Sequence, residues 1–284
     1  MVLAHSVRVG ERRFAKGHRL VAADIVVLEA YGVGAVIAAR LDPGDLMEDD
    51  AAARIAAAIP VDHMTFSPAS TGRVNVFAGA NGLFRASGDV VNRLNRIDPA
   101  ITLACLRDHA EVKAGDMVAT IKIIPLAVAG SAVDEAVRLL GSVPAFGVKP
   151  FAGRSVALIA TQLPSLKPSV MDKTRRLLDM RLAPSASHVT VEHRVAHRAD
   201  AVAEKIVDSL AANQMIIVFG ASAVADPDDV IPAAIRLAGG TVQQVGLPVD
   251  PGNLMLIGRI EGLSVIGAPG CARSPKENGF DWVL

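Results

Sequence analysis

Cysteine is scarce in this sequence. Cys105 and Cys271 are the whole supply in 284 residues, too few and too far apart for a disulfide framework or a thiolate metal cage, which fits a reducing compartment. An excess of charge is missing as well. The 29 basic side chains equal the 29 acidic ones, so nothing holds a nucleic acid or an anionic membrane nonspecifically, and any polyanion must be bound locally. No apolar run approaches the roughly 18 residues of a membrane helix, and Met1 to Gly10 lacks the apolar stretch of about 7–15 residues that marks a secretory signal. These absences predict a soluble, cytoplasmic protein without nucleic-acid or membrane partners.

What the sequence does hold is apolar mass. Hydrophobic residues make up 51% and charged ones 20%, and a chain of this length buries roughly three quarters of its unfolded surface, enough for one large core or two smaller ones. Part of the apolar fraction is alanine in helix-forming runs such as residues 50–59. Asp24, the apolar run from Ile25 and then Gly32 read as a helix opened by the aspartate and stopped by the glycine, with a strand at Val36-Ile37. A second helix is expected from Met47 to Ile59, opened by Asp45. Residues 67–88 mix Gly, Ser and Asn with short apolar pieces and read as strands and turns. A helix over 90–95, strands over 101–106 and 117–124 and a helix over 131–140 complete a mixed α+β first domain, which we expect to be the smaller one. Residues 141–153 carry two prolines and three glycines, the composition of a connection, so the boundary is placed near residue 150, giving domains 1–150 and 151–284.

Beyond residue 150, short β-branched runs alternate with helices. Strands are expected at 155–161, 188–192, 215–220, 242–245, 255–260 and 264–268, with helices at 170–182, 199–212 and 229–238. This is the pattern of a three-layer α/β/α sandwich with a mostly parallel sheet. Ligands in such sheets sit at the carboxyl ends of the strands, so function is to be sought after Ile159, Phe219 and Ile266.

Three loops there carry chemistry. After Phe219, Gly220-Ala221-Ser222 lets a ligand approach the backbone, and free amides near a helix start form a phosphate seat. Ser222 can add a donor, and Asp226, Asp228 and Asp229 could hold a divalent cation; equally, Asp228 or Asp229 could simply cap the next helix. Residues 246–254, with two prolines and two glycines, are stiffer than a plain hairpin requires and could form a ligand wall. After Ile266, a third loop holds Gly267, Gly270, Arg273, Ser274 and Lys276, offering amides, a guanidinium fork and an ammonium to a phosphate or carboxylate. Cys271, with no histidine beside it in sequence, reads as a buried thiol rather than a nucleophile. His188, His193 and His197 read as structural or surface histidines, because the residue after His193 is Arg194 where a metalloprotease helix would need Glu. Lys167, Lys173, Arg175 and Arg176 cluster around residues 162–172, where some anion contact is expected.

Taken together, Phe219-Gly-Ala-Ser-Ala-Val-Ala-Asp226 and Ala268-Pro-Gly-Cys271 resemble the molybdopterin-binding domain of the molybdenum cofactor biosynthesis family, with Gly220-Ala221 standing for the family's paired glycines and Pro269-Gly270-Cys271-Ala272 for its Pro-Gly-Asn-Pro turn. Lys16-Gly-His-Arg-Leu, Asp24-Ile25 and Glu29-Ala-Tyr-Gly32 are similar to its longer members. The loop set also resembles a bacterial subgroup fused to a cytidylyltransferase-type nucleotidyltransferase domain. The apolar end Trp282-Val-Leu284 agrees with a fragment of a longer fusion or a split protein. The resemblance implies a binder of molybdopterin or molybdenum cofactor that self-associates and works with a nucleotidyltransferase domain or partner, as a carrier or in Mg²⁺-assisted nucleotidyl transfer. The residues it nominates for the pterin are Thr161, Gly220, Ala221, Ser222, Asp250, Pro251, Gly252, Asn253, Pro269, Gly270, Cys271, Arg273, Ser274 and Lys276. Asp226 and Asp229 would be catalytic, and Asp226 and Asp228 would hold Mg²⁺. All of this requires the three loops to meet at one rim of the sheet.

Overall fold

In the computed structural model, residues 1–164 and 167–284 are described, and the chain forms two compact units, Met1–Pro150 and Phe151–Leu284. The first unit is therefore the longer one, not the smaller one expected. No helix among the described residues is long and apolar enough to cross a membrane.

The first unit begins with a hairpin of strands Val7–Val9 and Arg12–Phe14 and the helix Ala22–Ala30. Leu3, Val9, Phe14 and Leu28 close a small core beneath them. Asp24 does not open this helix. It lies one turn in, where its carboxylate accepts the Val21 amide at 3.2 Å and is met by Arg12 at 3.1 Å and His18 Nε2 at 2.8 Å. The side chain is 4% exposed, so the cap and the ion pair are one buried feature. Gly32 follows the helix in the left-handed region (φ 76°), but the next strand is Ala38–Ala39, paired with Val2–Leu3, rather than Val36-Ile37. Asp45 likewise sits in a strand, Asp45–Met47, and the helix starts after it, at Glu48–Ala57.

The larger core of this unit lies against a four-stranded antiparallel sheet, Met64–Phe66, Arg73–Ala78, Met117–Ile123 and Ile101–Cys105 in spatial order. A second sheet centres on Gly82–Ala86, flanked by Ala110–Val112 and Phe146–Pro150. The last strand corrects the reading of residues 141–153 as a connection. Glycine and proline suggested a linker, yet Phe146, Gly147 and Val148 are buried and pair with Ala86, Arg85 and Phe84, so cross-strand pairing overrides local composition.

The second unit is a three-layer α/β/α sandwich. Its six-stranded sheet runs His188–Ala196, Ser155–Gln162, Met215–Phe219, Leu263–Ala268, Leu256–Ile260, Thr241–Val245 in spatial order. The first four strands are parallel, and Leu256–Ile260 runs against them. The central strands carry continuous apolar runs, Val156–Ala160, Met215–Phe219 and Val265–Ala268, because both faces are covered. Ala157, Ile159, Ile216 and Val218 face one core with helices Ala199–Ser209 and Val230–Leu237. Val156, Leu158, Ile217 and Ile266 face the other with helix Pro168–Leu182 and Phe280. A terminal helix, Gly279–Val283, lies beyond the elements read from the sequence.

The buried cluster around Asp24 sets a pH dependence. The His18 hydrogen bond first, then the Val21 amide, hold this carboxyl below the ordinary aspartate value. Its stabilisation is thus present above the unfolded carboxylate range, about pH 4, and is lost as pH falls through the lower folded value. Asp24→Asn is expected to lower the urea midpoint at pH 7, with the gap to the natural protein closing on acidification. A gap that stayed constant far below the unfolded carboxylate range would overturn this assignment.

Candidate functional site

Parallel register brings the predicted loops to one edge of the sheet. Thr161 is level with Val195, Ala160 with Phe219, and Phe219 with Ala268. Leu256, at the start of its reversed strand, is level with Gly267 and Val245. Loops 220–229, 246–255 and 269–278 therefore all leave from the same rim, together with the segment that follows Ala196.

Thr161 organises one part of this rim. It is fully buried, and its Oγ1 accepts the Ala221 amide at 2.7 Å, reaches the Phe219 carbonyl at 3.4 Å and lies 2.9 Å from His197 Nδ1. The other ring nitrogen, Nε2, is 2.8 Å from Ser222 Oγ. A hydroxyl has one hydrogen and two lone pairs. All three contacts of Thr161 are used at once when it accepts from Ala221 and from His197 Nδ1–H while donating to Phe219. That assigned arrangement leaves Nε2 as the acceptor of the Ser222 hydrogen.

Arg273 organises the neighbouring part. Its Nη2 donates to the Gly220 carbonyl at 3.1 Å, its Nε donates to Thr174 Oγ1 at 3.2 Å, and the guanidinium lies 5.3 Å from the Phe219 ring centre. Burial lowers its pKa from the ordinary guanidinium value, while three of its five N–H groups remain beyond those two bonds. Gly220 must be glycine here, because a Cβ would stand 2.6 Å from the Ser222 carbonyl oxygen and 3.0 Å from Ile231. The first and third loops thus meet through Gly220.

Of the nominated pterin residues, Thr161, Gly220, Ala221, Ser222 and Arg273 are joined in these two bonding sets. Pro269, Gly270, Cys271 and Ser274 build the short helical turn that carries Arg273, and the Cys271 thiol faces Asn278 Oδ1 at 3.9 Å. Lys276 is exposed beside them. Asp250, Pro251, Gly252 and Asn253 form a separate contact. The Pro251 carbonyl accepts the Gly279 amide, and a Cβ on Gly252 would fall 2.8 Å from Gly279 backbone atoms. The stiffness of this loop is used in packing against the terminal helix. Asp250 itself is exposed.

The aspartates are not assembled as nominated. Both Asp229 oxygens accept amides, from Val230 at 2.7 Å and Ala225 at 3.0 Å, so it caps the helix Val230–Leu237. Asp226 accepts the Asp228 amide, and Asp228 pairs with Arg236 at 3.3 Å. Among the described residues no three His, Cys, Asp or Glu side chains gather where they could hold a metal. The donor set does not fit a preformed Mg²⁺ site. In the basic cluster Arg175 pairs with Asp179 and Glu192, and Ser165 and Leu166 of that loop lie outside the described residues.

Two residues that shape this rim were not assigned to it from the sequence. His197, read as a structural or surface histidine, directly follows Ala196 at a strand's carboxyl end, so the rule that selected the other loops could have placed it here. Arg181 gave no signal. From the helix Pro168–Leu182 it donates to the carbonyls of Ala272 and Ser274 and to Asp281, at 2.8, 2.8 and 2.5 Å, and is 10% exposed. It holds the third loop in place.

Comparison with known proteins adds little to this geometry. A domain of unknown function (DUF8806) matches residues 1–40, and no curated protein matches. Among solved structures, a molybdopterin biosynthesis MoeA protein from Pyrococcus horikoshii is 16% identical with a TM-score of 0.33, covering 80% of this chain and 69% of that one. CinA from Thermoplasma acidophilum is 16% identical, with a TM-score of 0.34 over 44% of this chain and 91% of that one. A molybdenum cofactor biosynthesis protein from Pyrococcus furiosus is 13% identical, with a TM-score of 0.26 over 82% of this chain and 65% of that one. Likeness at this level leaves the fold to be judged on its own sheet order.

Arg181→Met keeps the apolar stem and removes the donors from largely buried carbonyls and from Asp281. It is expected to cost about 3 kcal/mol, read as a lower urea midpoint at unchanged slope, with faster amide exchange across residues 270–284. An unchanged midpoint would show that the third loop is held by other contacts.

Proposed function

We propose that the rim of the second unit binds molybdopterin or the molybdenum cofactor through its phosphate and carries it during cofactor maturation. The observation that supports this most directly is Arg273, fixed by Gly220, Thr174 and Phe219 with N–H groups to spare. A guanidinium held in place loses little entropy on binding and presents a fork that matches phosphate geometry. Lys276 adds an exposed ammonium in the same loop, and Cys271 and Ser274 belong to the short turn that carries Arg273. The resemblance of the 219–226 and 268–271 segments to the molybdopterin-binding family supplies the pterin part of the reading.

The carrier form is favoured over Mg²⁺-assisted nucleotidyl transfer by one observation: Asp226 and Asp229 are engaged with amides of their own loop. A nucleotidyltransferase domain or protein would then be the partner that receives or returns the ligand.

Thermal unfolding with pyrophosphate, molybdopterin, its nucleotide conjugate and the metal-loaded form tests this. A ligand at a hundred times its Kd adds about 2.7 kcal/mol. The natural protein should show that shift for one of the pterins, and Arg273→Ala should lose it relative to its own ligand-free midpoint, with Lys276→Ala retaining part. Equal shifts in Arg273→Ala and the natural protein would sink the phosphate seat. Release of pyrophosphate from nucleotide and Mg²⁺ would replace the carrier by an enzyme.

A further inference from the structure

We propose that Ser222 is a histidine-activated nucleophile, with His197 as its base and Thr161 as the residue that positions the ring, acting on uncharged carboxylic esters. This does not rest on the phosphate reading. It rests on the continuous hydrogen-bonded line Ser222 Oγ, His197 Nε2, His197 Nδ1, Thr161 Oγ1 at 2.8 and 2.9 Å. A nucleophile within reach of a base that is itself oriented by a third group is the geometry of activated serines on many unrelated folds.

Each part has the required setting. Ser222 is exposed and His197 half-buried, so an electrophile can reach the hydroxyl, while Thr161 has no solvent access. The Thr161 hydroxyl is committed to Ala221 and Phe219, and it accepts the hydrogen bond of Nδ1–H, leaving Nε2 as acceptor. The loop that carries Ser222 is anchored in the two residues before it, by the Ala221 amide on Thr161 and by the Gly220 carbonyl on Arg273. The amide of Ala223, next in the chain, makes no hydrogen bond among the described residues and is available to a developing oxyanion.

The chemistry of the line sets the substrate class. A hydroxyl and an imidazole, with no three metal-holding side chains gathered among the described residues, are sufficient for a neutral carboxylic ester, whose carbonyl carbon needs no cation to be attacked. In the first step Ser222 Oγ attacks the ester carbonyl carbon and its proton passes to His197 Nε2. The carbon–oxygen bond to the alcohol then breaks, the departing oxygen takes that proton, and the acyl group stays on Ser222. Water next attacks the acyl carbon and gives a proton to Nε2. The bond to Oγ breaks, Oγ regains the proton, and a carboxylic acid leaves.

Two readouts on the full chain test this. Under a fluorophosphonate probe, peptide mapping should place one adduct on Ser222, and p-nitrophenyl butyrate should give a burst of p-nitrophenolate. Ser222→Ala should lose both signals. His197→Ala should slow adduct formation by about 10²–10⁴-fold, and Thr161→Val should slow it while Thr161→Ser restores it, which a purely structural role for the hydroxyl in folding would not separate by rate at equal helicity. Absence of an adduct on Ser222 in the natural protein, or equal labelling rates with and without His197, would overturn the proposal. A labelled Ser222 in a protein that ignores every phosphate ligand would retire the phosphate seat and keep the nucleophile.

Discussion

A single buried hydroxyl holds the rim of the second unit together. Thr161 Oγ1 engages the Ala221 amide, the Phe219 carbonyl and the His197 ring, so one side chain ties the ends of three parallel strands. These contacts exist because Ala160 is level with Phe219 and Thr161 with Val195. A slip of one residue would turn Thr161 to the opposite face. What forbids the slip lies far from the chemistry, in Val156–Ala160 and Ile216–Phe219, whose side chains are at most 1% exposed and fill two separate cores. Site geometry is thereby set by apolar packing, and the polar line at the strand ends is its consequence.

The same packing explains what could be read in the sequence. Continuous apolar strands alternating with helices dictate a sheet covered on both faces, and the rule that ligands gather at carboxyl ends then points to the loops after Phe219 and Ala268. The place of Arg273 was legible because it follows a buried strand, but its bonds to Thr174 and Gly220 join distant elements and were not. The strand Phe146–Pro150 was not legible, since its β character comes from Gly82–Ala86 across the sheet and its own Gly147 and Pro150 argue against it. Arg181 was illegible for a sharper reason: its partners Ala272, Ser274 and Asp281 lie about ninety to a hundred residues away, and no local pattern encodes which cation a distant carbonyl will meet. His197 falls between these cases, at a legible position but with contacts that depend on Ser222 and Thr161 arriving from other strands.

The aspartates show how local competition removes residues from a site. Asp226, Asp228 and Asp229 have the spacing of a cation loop, but a short carboxylate beside free amides is satisfied within its own turn before it can wait for an ion. Asp229 uses both oxygens in this way. The stiffness of residues 246–254 is also consumed internally, because Gly252 exists to let the terminal helix approach. In both loops the sequence features were real, and the fold spends them on its own backbone.

A neutral residue at position 161 has a consequence for the whole rim. An aspartate there would orient His197 equally well and would stabilise the ring's cation, but it would bury a charge, at a cost of several kcal/mol unless fully paired, and it would add a negative field beside the strand ends. Threonine fixes the ring without either effect. Gly220 stands between the two halves, with its carbonyl on Arg273 and the next amide on Thr161. Under the two proposals an anion would meet a fixed guanidinium with no carboxylate at position 161 opposing it, and Ser222 would keep a base whose tautomer is already set. The weaker activation that threonine would give is then the condition under which a seat for an anion and a nucleophile for a neutral ester could share one sheet edge.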